Sequence, residues 1–173
     1  IVAGLTLNIF NKHADRVKMA NIAQAVNVLQ SVILTDSDKM VKTPTYYVFK
    51  MYKEHQNNTL IGSYITTPSI NSKQDEKSFP QLIESASMDD NGVIYATITN
   101  TSHQNASEIK CQIADTAVKS ITAEILTGQY NQYNDFGNED SVKTEEFNDF
   151  TKCDDGFTAV IPPCSVVKFV IEK

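Results

Sequence analysis

The spacing of apolar and polar residues changes character near residues 57–59. Before that point, Val2, Leu5 and Ile9 fall near one face of a helical wheel and predict an amphipathic helix over residues 1–13. After it, short segments of alternating apolar and polar residues recur between turn-forming residues, a pattern typical of antiparallel sandwiches and barrels. We therefore predict a short mixed part, residues 1–56, followed by an all-β part, residues 60–173.

The mixed part contains a predicted strand and a predicted hairpin. Residues 16–24 are largely apolar at their start but too few for a stable helix, and they are predicted to form a buried strand that runs into a polar loop. Residues 33–35 and 40–43 flank a polar stretch and predict a small hairpin.

A second helix is predicted directly after the hairpin. Thr43 is of a type that caps helices, and Pro44 suits the first helical position because it needs no amide hydrogen. Tyr47 and Val48 begin a broad apolar side. The helix is expected to end near His55.

The all-β part is predicted to contain eight strands, separated by turns. Alternation such as that of Ile109, Cys111 and Ile113 gives each strand one face that packs in the core and one face that is exposed to solvent. Gly92 and Gly156 each close a polar stretch that predicts a tight turn. The predicted strands are 60–66, 81–88, 92–99, 108–115, 120–127, 140–146, 156–161 and 165–172.

Composition narrows the class of protein. The chain has 173 residues, 41% of them apolar, and a formal charge of -6, with no cluster of Lys or Arg that would favour a nucleic-acid partner. No stretch approaches the roughly eighteen apolar residues that span a bilayer. The chain opens on an apolar run without an initiator Met or a basic flank, so we expect a segment of a longer polypeptide whose compartment stays undecided.

Metal and thiol chemistry are not expected. The three cysteines, Cys111, Cys153 and Cys164, cannot all pair with one another, and none has a ligand spacing typical of zinc. The three histidines, His13, His55 and His103, lie on unrelated elements. We expect no cofactor and no metal.

The acidic residues do not supply an obvious catalytic pair. Sugar hydrolysis requires two carboxyl groups across one bond, about 5 Å apart when configuration is retained. The candidate glutamates lie on or beside predicted strands and are expected to face water, so no catalytic residue is assigned. They are Glu84, Glu108, Glu124, Glu145, Glu146 and Glu172.

Two amides, Asn21 and Gln24, end the apolar segment that begins at residue 16. A buried amide requires hydrogen-bond partners. The residues alone leave two interpretations open: the amides satisfy nearby backbone groups, or they contact a ligand.

At these residues the sequence resembles glycoside hydrolase family 51, the retaining α-L-arabinofuranosidases. The resemblance is strong over residues 3–10 (AGLTLNIF), 13–24 (HADRVKMANIAQ) and 26–30 (VNVLQ). It is looser but visible at residues 125–128 (ILTG) and 161–167 (IPPCSVV).

The resemblance implies a parent enzyme with a (β/α)8 catalytic barrel and a carboxyl-terminal jelly-roll-like antiparallel β-sandwich. Residues 1–13, 16–20 and 44–56 would be the seventh helix, eighth strand and eighth helix of that barrel. In the family both catalytic glutamates lie upstream of the Ala-Gly-Leu segment, so the resemblance assigns neither here. It does imply that Gln24 matches a glutamine that hydrogen-bonds the arabinofuranose. Asn21 is expected to be a supporting or purely structural amide.

The function is therefore expected to be that of a part of an enzyme, inactive alone. The implied partners are an arabinose-containing oligo- or polysaccharide, the upstream barrel and other copies in a homo-oligomer, with no nucleic acid and no membrane. Two alternatives concern the all-β part. The first is that it is a carbohydrate-binding module that uses Tyr130 and Tyr133, and the second is that it is a purely structural support for the barrel.

Overall fold

The computed structural model describes residues 1–71, 77–114 and 117–173. Within them, strands outweigh helices, and all the strands pair antiparallel apart from one isolated parallel bridge. In chain order the elements are α1 (Val2–Lys12), β1 (Ile33–Asp36), β2 (Lys39–Lys42), α2 (Pro44–Tyr52), a 3₁₀ turn (Lys53–His55), β3 (Thr59–Ile61), β4 (Ser69–Asn71), β5 (Ser78–Pro80), β6 (Leu82–Met88), β7 (Ile94–Asn100), β8 (Ser107–Gln112), β9 (Ser120–Thr127), β10 (Thr144–Glu146), β11 (Phe150–Cys153), β12 (Gly156–Ile161) and β13 (Ser165–Glu172).

Two sheets form the predicted sandwich. The larger has the strand order β10-β9-β13-β7-β6-β3 and the smaller the order β11-β12-β8. Their inward residues pack into one apolar core, in which the rings of Phe157 and Phe169 stack with centroids 4.3 Å apart. The strands β1 and β2 form a separate hairpin, as do β4 and β5. The mainly β, antiparallel class predicted from the sequence is confirmed.

Both helices pack on the outer face of the six-stranded sheet. Met51 of α2 and Val166 of β13 are almost wholly buried in this second apolar cluster. Helix α1 lies close to the strands because Gly4 has no side chain. A Cβ at Gly4 would lie 2.7 Å from Thr99 Oγ1 and 2.8 Å from a methyl group of Val166, both on stiff β-branched side chains.

The local predictions for the mixed part are largely confirmed. The helix over residues 1–13, the hairpin and the Pro44 helix all form close to their predicted bounds. Thr43 occupies the N-cap position, but its hydroxyl accepts no hydrogen bond from the first turn of the helix and instead donates to Ser31 O at 2.7 Å. The hydroxyl therefore fixes the start of α2 to the preceding loop.

The two predicted glycine turns also form. Gly92 adopts a φ of +83°, a conformation that residues with a side chain rarely adopt. At Gly156 the requirement is close approach, because a Cβ there would overlap the carbonyl oxygen of Cys111 on β8.

The prediction of a buried strand over residues 16–24 is wrong. This segment is irregular and mostly exposed. A strand of a parallel barrel needs a hydrogen-bonded neighbour on each side. None of the described strands pairs with this segment, so its apolar side chains have no sheet to join.

Several strand bounds in the all-β part also need correction. The strand predicted over 60–66 ends at Ile61, and the one predicted over 140–146 begins at Thr144. The far end of the strand predicted over 108–115 lies outside the described residues. The sequence pattern missed β4, β5 and β11, because three or four residues are too few to show alternation.

Candidate functional site

Segment 14–32, which connects α1 to the hairpin, carries the residue predicted to meet substrate. Gln24 is exposed and adopts a φ of +48°. Asn21 is also exposed and lines a hollow of about 500 Å³ between the ends of the two helices, a hollow that Gln24 does not line. The structure thus separates the two amides.

A compact turn after Gln24 ties this residue to the hairpin. Ala25 O accepts hydrogen bonds from the amides of Val32 and Ile33, each at 3.1 Å. Asn27 Oδ1 accepts from the amide of Thr35 at 2.7 Å, and the Asn27 amide group donates back to Thr35 Oγ1 at 2.9 Å. Gln24 is therefore attached to a defined backbone, although its own side chain faces solvent.

Exposed apolar side chains lie on this segment and on α1. Val2 and Ile9 of α1 are exposed on the side away from the sheet, and Met19 and Leu29 of segment 14–32 are exposed at 78% and 99%. Isolated apolar residues on a surface are ordinary, but four of them on one helix and the segment that follows it favour a face that another polypeptide covers.

The expectation that the sandwich glutamates face water is wrong for Glu84. Its side chain is 10% exposed and forms an ion pair with Lys12 of α1, while Ser63 Oγ donates to the same oxygen at 3.2 Å. Glu84 thereby holds the end of α1 to β6.

One pair of glutamates lies across two neighbouring strands. Glu124 of β9 lies opposite Glu146 of β10, but Lys168 Nζ lies 2.7 Å from Glu124 Oε1. Neither glutamate lines the hollows of about 560, 500 and 280 Å³ that the described residues form. The arrangement suits an ion pair within the sheet and not a sugar between two free carboxyl groups.

A buried polar network, absent from the sequence predictions, lies between α1 and the sheet. Asn8 is fully buried, and its Oδ1 accepts hydrogen bonds from Thr97 Oγ1 at 2.7 Å and Ser85 Oγ at 2.8 Å. Its Nδ2 donates to Ile83 O at 2.8 Å and, more weakly, to Thr99 Oγ1 at 3.3 Å. One side chain thus joins the helix to two strands.

His55 extends this network at the end of α2. The Thr97 hydroxyl already donates to Asn8, so it accepts from the Nε2–H of His55 at 3.1 Å. His55 Nδ1 then accepts from the Ser87 hydroxyl at 2.8 Å. Burial, and secondarily the charge of Lys168, lowers the pKa of His55 to about 4.

The tyrosines named for a carbohydrate-binding role lie in loop 128–143, between β9 and β10. Tyr130 and Tyr133 are exposed at 78% and 66%. The Tyr130 ring meets that of His103 edge-on at 6.0 Å, whereas Tyr133 lines a polar hollow of about 280 Å³. The structure therefore gives the two tyrosines different surroundings.

The outer face of the three-stranded sheet offers a larger hollow, of about 560 Å³, but a poor sugar platform. Glu108 and Lys110 border it, and its one aromatic residue, Phe150, packs toward the sandwich core. No Tyr or Trp lines this hollow.

Metal and membrane features are absent from the described residues. No group of three His, Cys, Asp or Glu side chains there lies close enough to hold a metal ion. Neither helix in that part of the chain is long and apolar enough to cross a membrane. Cys111, Cys153 and Cys164 are free thiols.

Comparison with known proteins gives consistent matches. The chain is 42% identical over 173 residues to an intracellular exo-α-L-arabinofuranosidase of Bacteroides ovatus, covering 99% of this chain and 33% of that protein. It superposes on the crystal structure of the GH51 arabinofuranosidase from Xanthomonas axonopodis pv. citri with a TM-score of 0.93 at 33% identity, covering 99% of this chain and 34% of the other.

A more distant match supports the fold alone. The α-L-arabinofuranosidase of Thermotoga maritima, solved as an arabinose complex, gives a TM-score of 0.86 at 24% identity over 99% of this chain and 37% of that one. The chain spans about a third of the length of these relatives. A family model described as the α-L-arabinofuranosidase C-terminal domain matches residues 1–165, and the chain belongs to that family.

Proposed function

We propose that the chain is the carboxyl-terminal portion of an enzyme that removes terminal non-reducing α-L-arabinofuranosyl groups from arabinan- or arabinoxylan-type glycans with retention of configuration. Family membership and the 42% identity to an exo-α-L-arabinofuranosidase support the activity. The observation that carries the role of this portion is the exposed apolar surface of α1 and segment 14–32, which another part of the parent would cover.

We propose two structural parts. Residues 1–56 belong to the end of a (β/α)8 barrel, and residues 60–173 are the sandwich domain. In such a barrel the helices form an outer ring, so each helix has an inner side that meets the strands. Helix α1 meets the sandwich with Gly4 and Asn8, and its other side, with Val2 and Ile9, is free for barrel strands.

On this view, residues 16–20, which are irregular in the chain alone, would form the eighth barrel strand once its neighbouring strands are present. The amides and carbonyls of residues 16–20 would then pair with adjacent strands. Gln24 would follow the carboxyl end of that strand, where active sites of this fold gather.

The chemistry divides between the two portions of the parent. Retaining hydrolysis needs a carboxylate nucleophile that forms a glycosyl-enzyme and a carboxylic acid that protonates the leaving oxygen. Both would come from the upstream barrel. The proposed role of Gln24 is to hold a hydroxyl of the arabinofuranosyl ring, since an amide both donates and accepts hydrogen bonds.

The sandwich has a supporting role in this proposal. It fixes both helices through the Asn8 network and the apolar cluster around Met51, and thereby fixes where segment 14–32 begins and ends. We further propose that the parent is a homo-oligomer, whose size sedimentation of the complete enzyme would measure.

Gln24→Ala in the complete enzyme should lower kcat/KM for 4-nitrophenyl α-L-arabinofuranoside by roughly 10- to 100-fold, equivalent to about 1–3 kcal/mol of transition-state binding. The loss follows from removing the amide that holds the sugar. Steady-state kinetics of the purified variant measures it.

Gln30→Ala is the matched control, because Gln30 is an exposed glutamine of the same segment. We expect its kcat/KM to stay at the parent value. An unchanged kcat/KM for Gln24→Ala would return Gln24 to a structural role and remove it from the proposed site.

A further inference from the structure

Loop 128–143 lies at the end of the sandwich where both helices begin. A small hollow of about 110 Å³ brings Ile1 and Pro44, at the two helix starts, beside Gly128 and Tyr130 of the loop. Tyr47, in the first half of α2, directs its hydroxyl toward an Asp140 carboxylate oxygen at 3.5 Å. In a barrel of this type, the helices start on the face that bears the active site.

The loop is also connected to the hairpin that follows Gln24. Asn134 Nδ2 donates to Lys42 O of β2 at 2.8 Å, and Lys42 pairs with Ile33 of β1. Ile33 in turn donates its amide to Ala25 O, directly after Gln24. A short chain of backbone contacts therefore runs from the proposed substrate contact to this loop.

The loop is held in one conformation by its own side chains. Asn134 is 3% exposed, and besides Lys42 it donates to Val142 O and accepts from the Val142 amide, both at 2.8 Å. Gln132 accepts from the amide of Gln129 at 3.0 Å and donates to Ser141 O at 2.8 Å. Such internal bonding preorganises the surface that the loop presents.

That surface is a hollow of about 280 Å³ with the chemistry of a sugar site. The exposed Tyr133 ring offers a flat apolar face to the C–H groups of a sugar. Asn131 and Asn138 make no side-chain hydrogen bond within the described part of the chain, so both amides are available to hydroxyl groups. The lining residues are Asn131, Gln132, Tyr133, Asp135, Asn138 and Ser141.

We propose that this hollow binds a neutral sugar residue of the glycan chain that bears the arabinofuranosyl group under attack. The site would add affinity for an extended substrate without touching the bond that is cut. This inference rests on the proposed function, because it requires the active site to open on the side where the two helices begin.

The test uses the complete enzyme and its Tyr133→Ala and Asn131→Ala variants. The two substrates are 4-nitrophenyl α-L-arabinofuranoside and an arabinose-substituted xylo-oligosaccharide with several backbone sugars. We expect each variant to lose about tenfold in kcat/KM on the oligosaccharide, mainly through KM, and to stay within about twofold on the aryl substrate. Tyr64→Ala is the control, because Tyr64 is 89% exposed and lies outside the loop.

The outcomes separate the two proposals. Equal effects of the Tyr133 and Asn131 changes on both substrates, or no effect on either, would overturn the sugar site while leaving the arabinofuranosidase proposal intact. A complete enzyme that hydrolyses neither substrate would instead remove the proposed function. Circular dichroism of each variant checks that it is folded. We expect an unchanged spectrum together with a loss of kcat/KM on the oligosaccharide alone.

Discussion

Asn8→Ala should lower the free energy of unfolding of the chain by about 3 kcal/mol. The substitution leaves the Ser85 and Thr97 hydroxyls without their shared acceptor and Ile83 O without its donor, all beneath α1. Ser85 and Thr97 lie 3.1 Å apart and can bond to each other, which limits the loss. Denaturant unfolding at neutral pH measures the effect.

Asn11→Ala on the same helix is the variant with which the loss in free energy of unfolding is compared. Asn11 donates one hydrogen bond, to Ser85 Oγ at 3.0 Å, and is only half-buried. We expect a loss of about 1 kcal/mol there. Equal losses for the two variants would contradict the view that Asn8 is the main polar link between helix and sheet.

Acidification should destabilise the chain through His55. In the fold its pKa is about 4, well below the ordinary value of 6.5, because burial and the charge of Lys168 oppose protonation. The unfolded chain therefore binds the proton more readily between these two values. The contribution of neutral His55 to the free energy of unfolding is complete above pH 6.5. It is lost as the pH falls from 6.5 to about 4, a loss on the order of 3 kcal/mol, and changes little below pH 4.

His55→Gln removes the titrating group and should flatten the pH dependence over this window, although the amide keeps part of the hydrogen bonding to Ser87 and Thr97. His13→Gln, at an exposed position, is the matched control and should leave the curve in place. Unfolding curves at several pH values provide the comparison. A His55→Gln variant as acid-sensitive as the unmodified chain would refute the assignment.

The strands were predictable because alternation reports a sheet with a buried face. Phe157, Ala159 and Ile161 do line the core as their spacing indicates. The same alternation predicts that the polar residues Ser85 and Thr97 face solvent, but both are fully buried. Helix α1 covers the face on which they lie, and a strand's own residues do not record what covers its polar side.

Two residues of α1 carried a signal for this buried interface. A glycine inside a helix costs about 1 kcal/mol relative to alanine, so Gly4 indicates a close approach to a neighbour. Asn8 follows a largely apolar run in α1, at a position that the structure buries completely. A polar residue in such a place requires partners, and Ser85 and Thr97 are those partners.

The candidate site was less accessible to sequence reasoning. Physical arguments left Gln24 with two interpretations, and only the family resemblance favoured substrate contact. The reason is local: segment 16–24 lacks neighbouring strands, so its own pattern does not determine where its side chains point. Loop 128–143 was recognised through its tyrosines, but the hollow beside Tyr133 depends on hydrogen bonds of Asn134 and Gln132 that sequence spacing does not show.

The activity of purified residues 1–173 toward 4-nitrophenyl α-L-arabinofuranoside, measured beside the complete enzyme, tests most directly whether this chain holds the catalytic carboxyl groups. We expect no release of 4-nitrophenol above the blank by the folded chain and ready turnover by the complete enzyme, because we propose that the acid and the nucleophile belong to the upstream portion. Turnover by residues 1–173 that disappears in a Glu124→Gln or Glu146→Gln variant would place a catalytic pair within this chain and refute that proposal.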